Sequence, residues 1–303
     1  MIYDIIIIGG GPAGLTAALY AKRANKSVLV IEKAAYGGQI TYSPKVENIP
    51  GFSVVSGNEF AEKLVEQVSL QGADFEFCEV LSITDGKIKT VVTDDGEFQG
   101  KAVIIATGAK HRKLNLENEE KFIGDGISFC AVCDGAFYKD KTVGVVGGGN
   151  SALQEALLLS ELCEKVYIFQ NLDKLTGEGK LCQQVYAKQN IEIILSTVVE
   201  SYIGDETFKG VNLLFADGKQ TSVNLDGLFI AIGLIPQNGA FVNLLELNDY
   251  GYAVSNESCQ TKTSGVFVAG DCRTKKIRQV ATAMADGAIS ALAACDYVDG
   301  LGE

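Results

Sequence analysis

The stretch Cys130-Ala131-Val132-Cys133-Asp134-Gly135 places two thiols, a carboxylate and a glycine in one short run. Two cysteines separated by two residues close a small disulfide and reopen it readily, and a local charge or a helix start lowers the pKa of one thiol. The same spacing also supplies half of a zinc knuckle, or belongs to two incidental buried cysteines. Zinc needs two further ligands. His111 is the only histidine, and Cys78, Cys163, Cys182, Cys259, Cys272 and Cys295 stand singly, so redox chemistry is the favoured reading and no metal site is expected.

A cycling disulfide needs a source of electrons, and the N-terminus reads as a nucleotide-binding unit. Asp4-Ile5-Ile6-Ile7-Ile8 is the continuous apolar run of a strand buried on both faces. Gly9-Gly10-Gly11-Pro12-Ala13-Gly14 follows, then helix formers from Leu15 to Ala21, then a second buried strand from Ser27 ending in Glu32. Gly9 permits the tight turn, Gly11 lets a pyrophosphate approach the backbone, and Gly14 lets helix and strand pack closely. Glu32 is placed to accept hydrogen bonds from a ribose. Tyr36-Gly37-Gly38-Gln39 and Glu47-Asn48-Ile49-Pro50-Gly51-Phe52 are loops whose glycines allow a ligand near the backbone. An amphipathic helix is expected over 59–71 and a hairpin-rich insert over 75–103. The strand Val103-Ile104-Ile105 then ends in Ala106-Thr107-Gly108.

Lys110 to Lys121 is polar and reads as an interdomain hinge, with His111 a solvated residue of no chemical role. Beyond the two cysteines the nucleotide pattern restarts. Thr142 to Val146 is a strand, Gly147-Gly148-Gly149-Asn150-Ser151-Ala152 a turn, Leu153 to Leu162 a helix and Lys165 to Phe169 a strand. That strand runs into Gln170-Asn171-Leu172-Asp173, which offers neither the acid of an NAD site nor the arginines of an NADP site. The favoured reading is a turn kept for folding, with nicotinamide binding weak or lost, and the loop stays named as a possible nucleotide site. Residues 191–232 alternate again and close in a buried strand, so the second domain resembles a smaller copy of the first. Gly265 to Asp271 is a further buried strand ending in Gly270-Asp271. Arg278-Gln279-Val280-Ala281 and a small-residue helix through Ala294 follow it. Asp271 is placed to bind a ribityl hydroxyl, with the helix start facing a flavin ring.

The chain has 303 residues, 47% hydrophobic, with 34 glycines, as suits a two-domain α/β protein. Its formal net charge of −12 argues against nucleic acid or an anionic membrane as partner. No apolar run is long enough to span a bilayer, and eight cysteines are too few for a disulfide scaffold, so a cytoplasmic location is expected.

Taken together, these residues resemble the low-molecular-weight thioredoxin reductase family of flavoproteins. The carriers are Gly9 to Gly14 with Glu32, Gly37-Gly38-Gln39, Glu47 to Phe52, Ala106-Thr107-Gly108, Cys130 to Gly135, Gly147 to Ala152, and Gly270-Asp271 with Arg278-Gln279. The resemblance implies two Rossmann-like domains with antiparallel hairpin inserts: an FAD domain from 1–113 and 246–303, and an inserted, degenerate NAD(P)-like domain, 114–245, carrying the disulfide. It implies FAD contacts from Gly9, Gly11, Pro12, Ala13, Gly14, Glu32, Gly37, Gly38, Gln39, Asn48, Thr107, Gly108, Gly270, Asp271, Arg278, Gln279 and Val280. It further implies a homodimer in which Cys133 faces the flavin, Cys130 exchanges with thioredoxin and Asp134 manages the proton. A swing about 110–121 and 243–249 would present the disulfide first to flavin and then to protein.

One departure matters. NADPH-using members carry a His-Arg-Arg run after the second strand of the inserted domain, where this chain has Gln170-Asn171-Leu172. In this it is similar to the ferredoxin-dependent flavin thioredoxin reductases, which makes reduced ferredoxin the expected donor. The competing expectations are an NAD(P)H-dependent reductase with an atypical loop, acting on thioredoxin or another disulfide protein, and a flavin-binding redox sensor.

Overall fold

The computed structural model describes residues 1–43 and 45–301. The chain forms two compact units, Met1–Lys110 with Ile235–Glu303, and His111–Leu234. In chain order, β1 (Ile2–Ile8), α1 (Pro12–Arg23), β2 (Val28–Glu32), α2 (Gly57–Leu70), β3 (Asp74–Phe77), β4 (Val80–Thr84), β5 (Lys89–Thr93) and β6 (Gly96–Ile105) open the first unit. After β7 (Ala109–His111), the second unit runs through α3 (Glu119–Phe122), β8 (Ile127–Ser128), α4 (Ala131–Asp134), β9 (Thr142–Val146), α5 (Asn150–Ser160) and β10 (Lys165–Phe169). It continues with α6 (Gly179–Tyr186), β11 (Ile191–Ile194), β12 (Thr197–Ile203), β13 (Gly210–Phe215), β14 (Gln220–Asn224) and β15 (Gly227–Ile230). The chain returns through β16 (Leu234–Pro236), and β17 (Val266–Val268) and α7 (Val280–Gly300) complete the first unit.

The isoleucine run of β1 shows why a strand forms there. Successive side chains point to opposite faces. Ile5 and Ile7 therefore join one core with Leu15, Ala17 and Ala291, while Ile6 and Ile8 join another with Ile83, Phe241 and Leu244. The first unit's sheet runs β3-β2-β1-β6-β5-β4, with β17 also on β6. β3, β2, β1, β6 and β17 pair in parallel, and β4, β5 and β6 form an antiparallel meander. The second unit has a five-stranded parallel sheet, β11-β10-β9-β15-β8, and a separate antiparallel sheet, β12-β13-β14. The class is α/β with two Rossmann-like folds and antiparallel inserts, as the sequence implied.

The domain boundaries differ from expectation. The second crossing falls at Leu234/Ile235 rather than before 246. Phe241, Leu244 and Leu245, each 2% exposed, are the reason, because they pack with Ile6 and Ile83 in the first unit. Part of Lys110 to Lys121, the segment expected to be a hinge, is locally structured. The Glu119 carboxylate, itself buried, accepts the N–H groups of Leu114, Asn115 and Leu116, so 114–119 is a hydrogen-bonded turn, and it belongs to the second unit. Among the described residues no helix is long and apolar enough to cross a membrane.

Candidate active site

Chemistry in the first unit gathers at the C-terminal edge of its parallel strands. Ile8 pairs with Ile31 and with Ile105, and Ile105 pairs with Val268, so the residues that follow all four strands share one edge. Gly9 turns there with φ +112°, and a Cβ on it would stand 2.4 Å from the Ala106 carbonyl oxygen. A Cβ on Gly14 would stand 1.9 Å from the Gly9 oxygen, so only glycine lets α1 cross β1 this closely. Pro12 opens α1, where its missing N–H costs nothing, and Ala13 is buried behind it. Gly11 caps the helix with extended backbone and no side chain, which leaves the first-turn N–H groups to an anion.

Glu32, at the end of β2, accepts the Gly10 N–H through Oε2 at 2.7 Å and the Ala34 N–H through Oε1 at 2.8 Å. A carboxylate has about four lone-pair sites, so capacity for a ribose diol remains. Gly37 donates to the Gly10 carbonyl, which brings Gly37, Gly38 and Gln39 over the turn. The Asn48 amide donates to Gln279 Oε1 at 3.3 Å, joining two loops far apart in sequence. Gln279 also shares a capping box with Thr282, ahead of Val280 at the start of α7.

Two atoms at this edge are orphans. Thr107 Oγ1, beside Gly108, and Asp271 Oδ1, beside Gly270, are buried without a hydrogen-bond partner. Burial pushes the Asp271 carboxyl up, against the pull of Lys275 and Arg278. Arg278 lies 4.1 Å over the Tyr252 ring and donates to the Asp271 carbonyl. Unmet acceptors and donors of this kind, beside a glycine cradle, fit a large polar cofactor such as FAD. Behind them Asp286 accepts from Arg273 and Lys275, each at 2.9 Å, and from the Gly270 N–H at 3.1 Å.

The second unit repeats this edge with a different occupant. Val146 pairs with Phe169 just as Ile8 pairs with Ile31, which puts Gln170 in the place of Glu32. Gln170 is 4% exposed, and its amide spends itself locally, accepting from Asn171 N and donating to the Lys174 carbonyl. Its side chain lies against the turn: a Cβ on Gly148 would meet Gln170 Nε2 at 2.3 Å. No arginine occurs between Arg112 and Arg273.

Cys130 and Cys133 are joined in a disulfide with their Cα atoms 5.3 Å apart. Cys130 is the N-cap of α4, and its Sγ accepts the Cys133 N–H at 3.2 Å, which favours a thiolate on Cys130 once the bond opens. The buried Ser128 hydroxyl accepts the Cys130 N–H at 3.1 Å and donates to Asp134 Oδ2 at 2.5 Å. Burial raises the Asp134 carboxyl, and the Ser128 bond holds it partly down. Its Oδ1 is buried without a partner. Cys78, Cys163, Cys182, Cys259, Cys272 and Cys295 are free thiols, and among the described residues no cluster of His, Cys, Asp or Glu is placed to hold a metal.

A family model described as pyridine nucleotide-disulphide oxidoreductase matches residues 3–287. A thioredoxin reductase of Listeria monocytogenes is 41% identical, over 100% of this chain and 96% of its own length. One from Bacillus subtilis is 40% identical, over 100% and 96%. The crystal structure of thioredoxin reductase from Streptococcus pyogenes superposes with a TM-score of 0.94 at 37% identity, covering 99% of each chain. The chain belongs to the low-molecular-weight thioredoxin reductase family. Within that family's plan, the sequence-expected residues fall into two groups, one in each unit. Gly9, Gly11, Pro12, Ala13, Gly14, Glu32, Gly37, Gly38, Gln39, Asn48, Thr107, Gly108, Gly270, Asp271, Arg278, Gln279 and Val280 lie in the first, and Cys130, Cys133 and Asp134 in the second.

Three side chains escaped the sequence reading. Ser128 bridges Asp134 to Cys130, Asp286 holds the Gly270 turn, and Glu155 on α5 is raised by burial and then by the charge of Asp134. Asp286 carried a signal, being an acid amid the small residues of α7. The expectation for His111 is corrected: its ring stacks on Phe129, next to Cys130, with centroids 4.9 Å apart, and burial lowers its pKa to about 4. It is packed rather than solvated, and it stays neutral at physiological pH.

Proposed function

We propose that this chain is a flavin-dependent thioredoxin reductase that draws electrons from reduced ferredoxin and passes them to thioredoxin through Cys130 and Cys133. The observation that carries the donor assignment is Gln170 in the place of Glu32, buried and engaged with its own loop. A neutral amide supplies neither the acceptor pair that a ribose diol uses nor the cation that a 2′-phosphate needs. FAD, when bound, supplies the electron pair and links a one-electron donor to a two-electron disulfide. The first-unit residues named above hold it, with Gly9 to Gly14 and the α1 N-terminus taking the pyrophosphate, Glu32 the adenosine ribose and Asp271 the ribityl chain.

Cys133 receives the electron pair as the Sγ–Sγ bond breaks, and Asp134 provides the proton that one sulfur keeps. Cys130, its thiolate favoured by the Cys133 N–H, then attacks the thioredoxin disulfide, and Cys133 resolves the mixed disulfide. Val132, 61% exposed between the two cysteines, leaves room for a protein partner to approach.

The test is an anaerobic one. Reduced ferredoxin should bleach the oxidised flavin spectrum within turnover, while micromolar NADPH and NADH should not. Bleaching by NADPH with none by ferredoxin would overturn the donor assignment and favour the nicotinamide alternative. Cys130→Ser should abolish thioredoxin reduction and leave FAD bound. Retained turnover would remove the role given to Cys130.

A further inference from the structure

Glu155 lies one helical turn before Leu159 on α5, so the two share a face. Leu159 is seated on the residue after Asp134: a Cβ on Gly135 would meet Leu159 Cδ2 at 3.2 Å. The contact between α4 and α5 thus puts Glu155 on the α5 face that packs toward α4, where the charge of Asp134 reaches it. Asp134 Oδ1 and Glu155 Oε2 are both buried, and neither has a hydrogen-bond partner.

We propose that Glu155 is a positioning residue for Asp134, the two carboxyl groups holding one proton between them at rest, ready for the sulfur released when the Cys130–Cys133 disulfide opens. The proposal rests on the reading of Asp134 as proton donor. Two ionised carboxylates without a cation between them are strongly disfavoured in a buried site, so the pair retains a proton at neutral pH. The surrounding charges agree. From α4, Asp134 acts on Glu155, and from the turn after α4, Tyr138 is held neutral with its pKa pushed up to about 12. Just past α5, at its C-cap, Glu161 pairs with Lys188, and from β10 Lys165 pairs with Glu192. At the start of α6, Glu178 is engaged by Asn150. Burial first, and Asp134 second, raise Glu155 to about 8.

The chemical step balances simply. Opening the Sγ–Sγ bond takes two electrons and one proton and leaves one thiol and one thiolate. Asp134 gives the shared proton to the sulfur, the pair stands briefly as a dianion, and water returns the proton. Glu155 therefore sets how high the pH can rise before the donor is empty.

The experiment needs neither ferredoxin nor thioredoxin. The holoprotein is followed by infrared spectroscopy in H2O and D2O across pH 6–10, and reduction of its disulfide by dithiothreitol, a dithiol whose two sulfurs end as a disulfide, is timed over the same range. Wild type should show a protonated-carboxyl band at pH 7 that titrates away near pH 8. Glu155→Gln should lose that band and the matching inflection in the reduction rate, whereas Glu155→Asp should retain both. Asp134→Asn should move the midpoint down by about 1 unit or more, since the neighbouring charge is gone. No such band in wild type, or an inflection unchanged in Glu155→Gln, would overturn the proposal. Failure of ferredoxin or thioredoxin to react would leave these readouts untouched, so the two claims fail separately.

Discussion

Protonating His111 should weaken the second unit by an amount that follows from its burial. The ring is stacked on Phe129, and its pKa falls from 6.5 to about 4. Unfolding frees the imidazole to bind a proton near pH 6.5, so between pH 6.5 and 4 the unfolded chain holds more protons than the folded one. Stability is then present in full above pH 6.5 and is lost as pH falls through that window. The shift of roughly 2.5 units corresponds to about 3 kcal/mol, of which about 2 is lost between pH 7 and pH 5. Because the chain has one histidine, a single imidazole Cε1 proton resonance reports it without assignment work. That resonance should stay at its neutral position down to pH 5. His111→Phe, which keeps an aromatic ring against Phe129 and removes the titration, should lose about 2 kcal/mol less than wild type between pH 7 and pH 5 in urea unfolding. A resonance that titrates between pH 6 and 7, or parallel pH profiles for the two proteins, would refute the reasoning.

Three further outcomes follow from the geometry. Glu155 is raised to about 8 in the fold, so its contribution is complete below the unfolded pKa near 4.5 and falls away as pH rises toward 8; Glu155→Gln should therefore be more stable than wild type at pH 8, by on the order of 3 kcal/mol in urea titrations. Gly14→Ala puts a methyl group 1.9 Å from the Gly9 oxygen, and the purified protein should carry little flavin, measured as the ratio of visible to ultraviolet absorbance. Glu32→Gln turns an NH2 group toward Gly10 N or Ala34 N, and should weaken FAD binding about tenfold by equilibrium dialysis, for a loss of about 1.4 kcal/mol.

Much of the scaffold was legible because short apolar runs and glycine turns are local signals. The Ile5 to Ile8 run, the turn at Gly9 to Gly14 and their second copy at Thr142 to Ala152 read directly as β1-α1 and β9-α5. The start of α2 was also local, although two residues early, since Ser56 caps it by accepting the Glu59 N–H. What escaped depends on contacts between distant positions. Phe241, Leu244 and Leu245 look like any apolar run until β1 and β4 give them a core to join, and this moved the domain boundary. Ser128 is unremarkable until its hydroxyl is seen between Asp134 and Cys130. His111 looked solvated because its neighbours in sequence are charged, while its neighbour in space is Phe129. Glu155 sits in a helix where an acid is common, and only the Leu159–Gly135 contact shows which face it is on.

The two nucleotide-type units also separate what a glycine fingerprint does from what it binds. Both make the same turn after the same strand pair, with Gly9 and Gly147 at φ +112° and +128°, and both open a helix from an extended glycine without a side-chain cap. That geometry provides close packing and a phosphate-ready helix start in either unit. The difference is one strand-end residue. Glu32 meets the Gly10 N–H and keeps acceptor capacity facing the turn, whereas Gln170 folds its amide into its own loop against Gly148. Backbone fixes the place where a dinucleotide can lie, and the strand-end side chain decides whether one is held there. On that argument the two turns serve the fold alike, and the two units differ in the strand-end side chain that each offers to a dinucleotide.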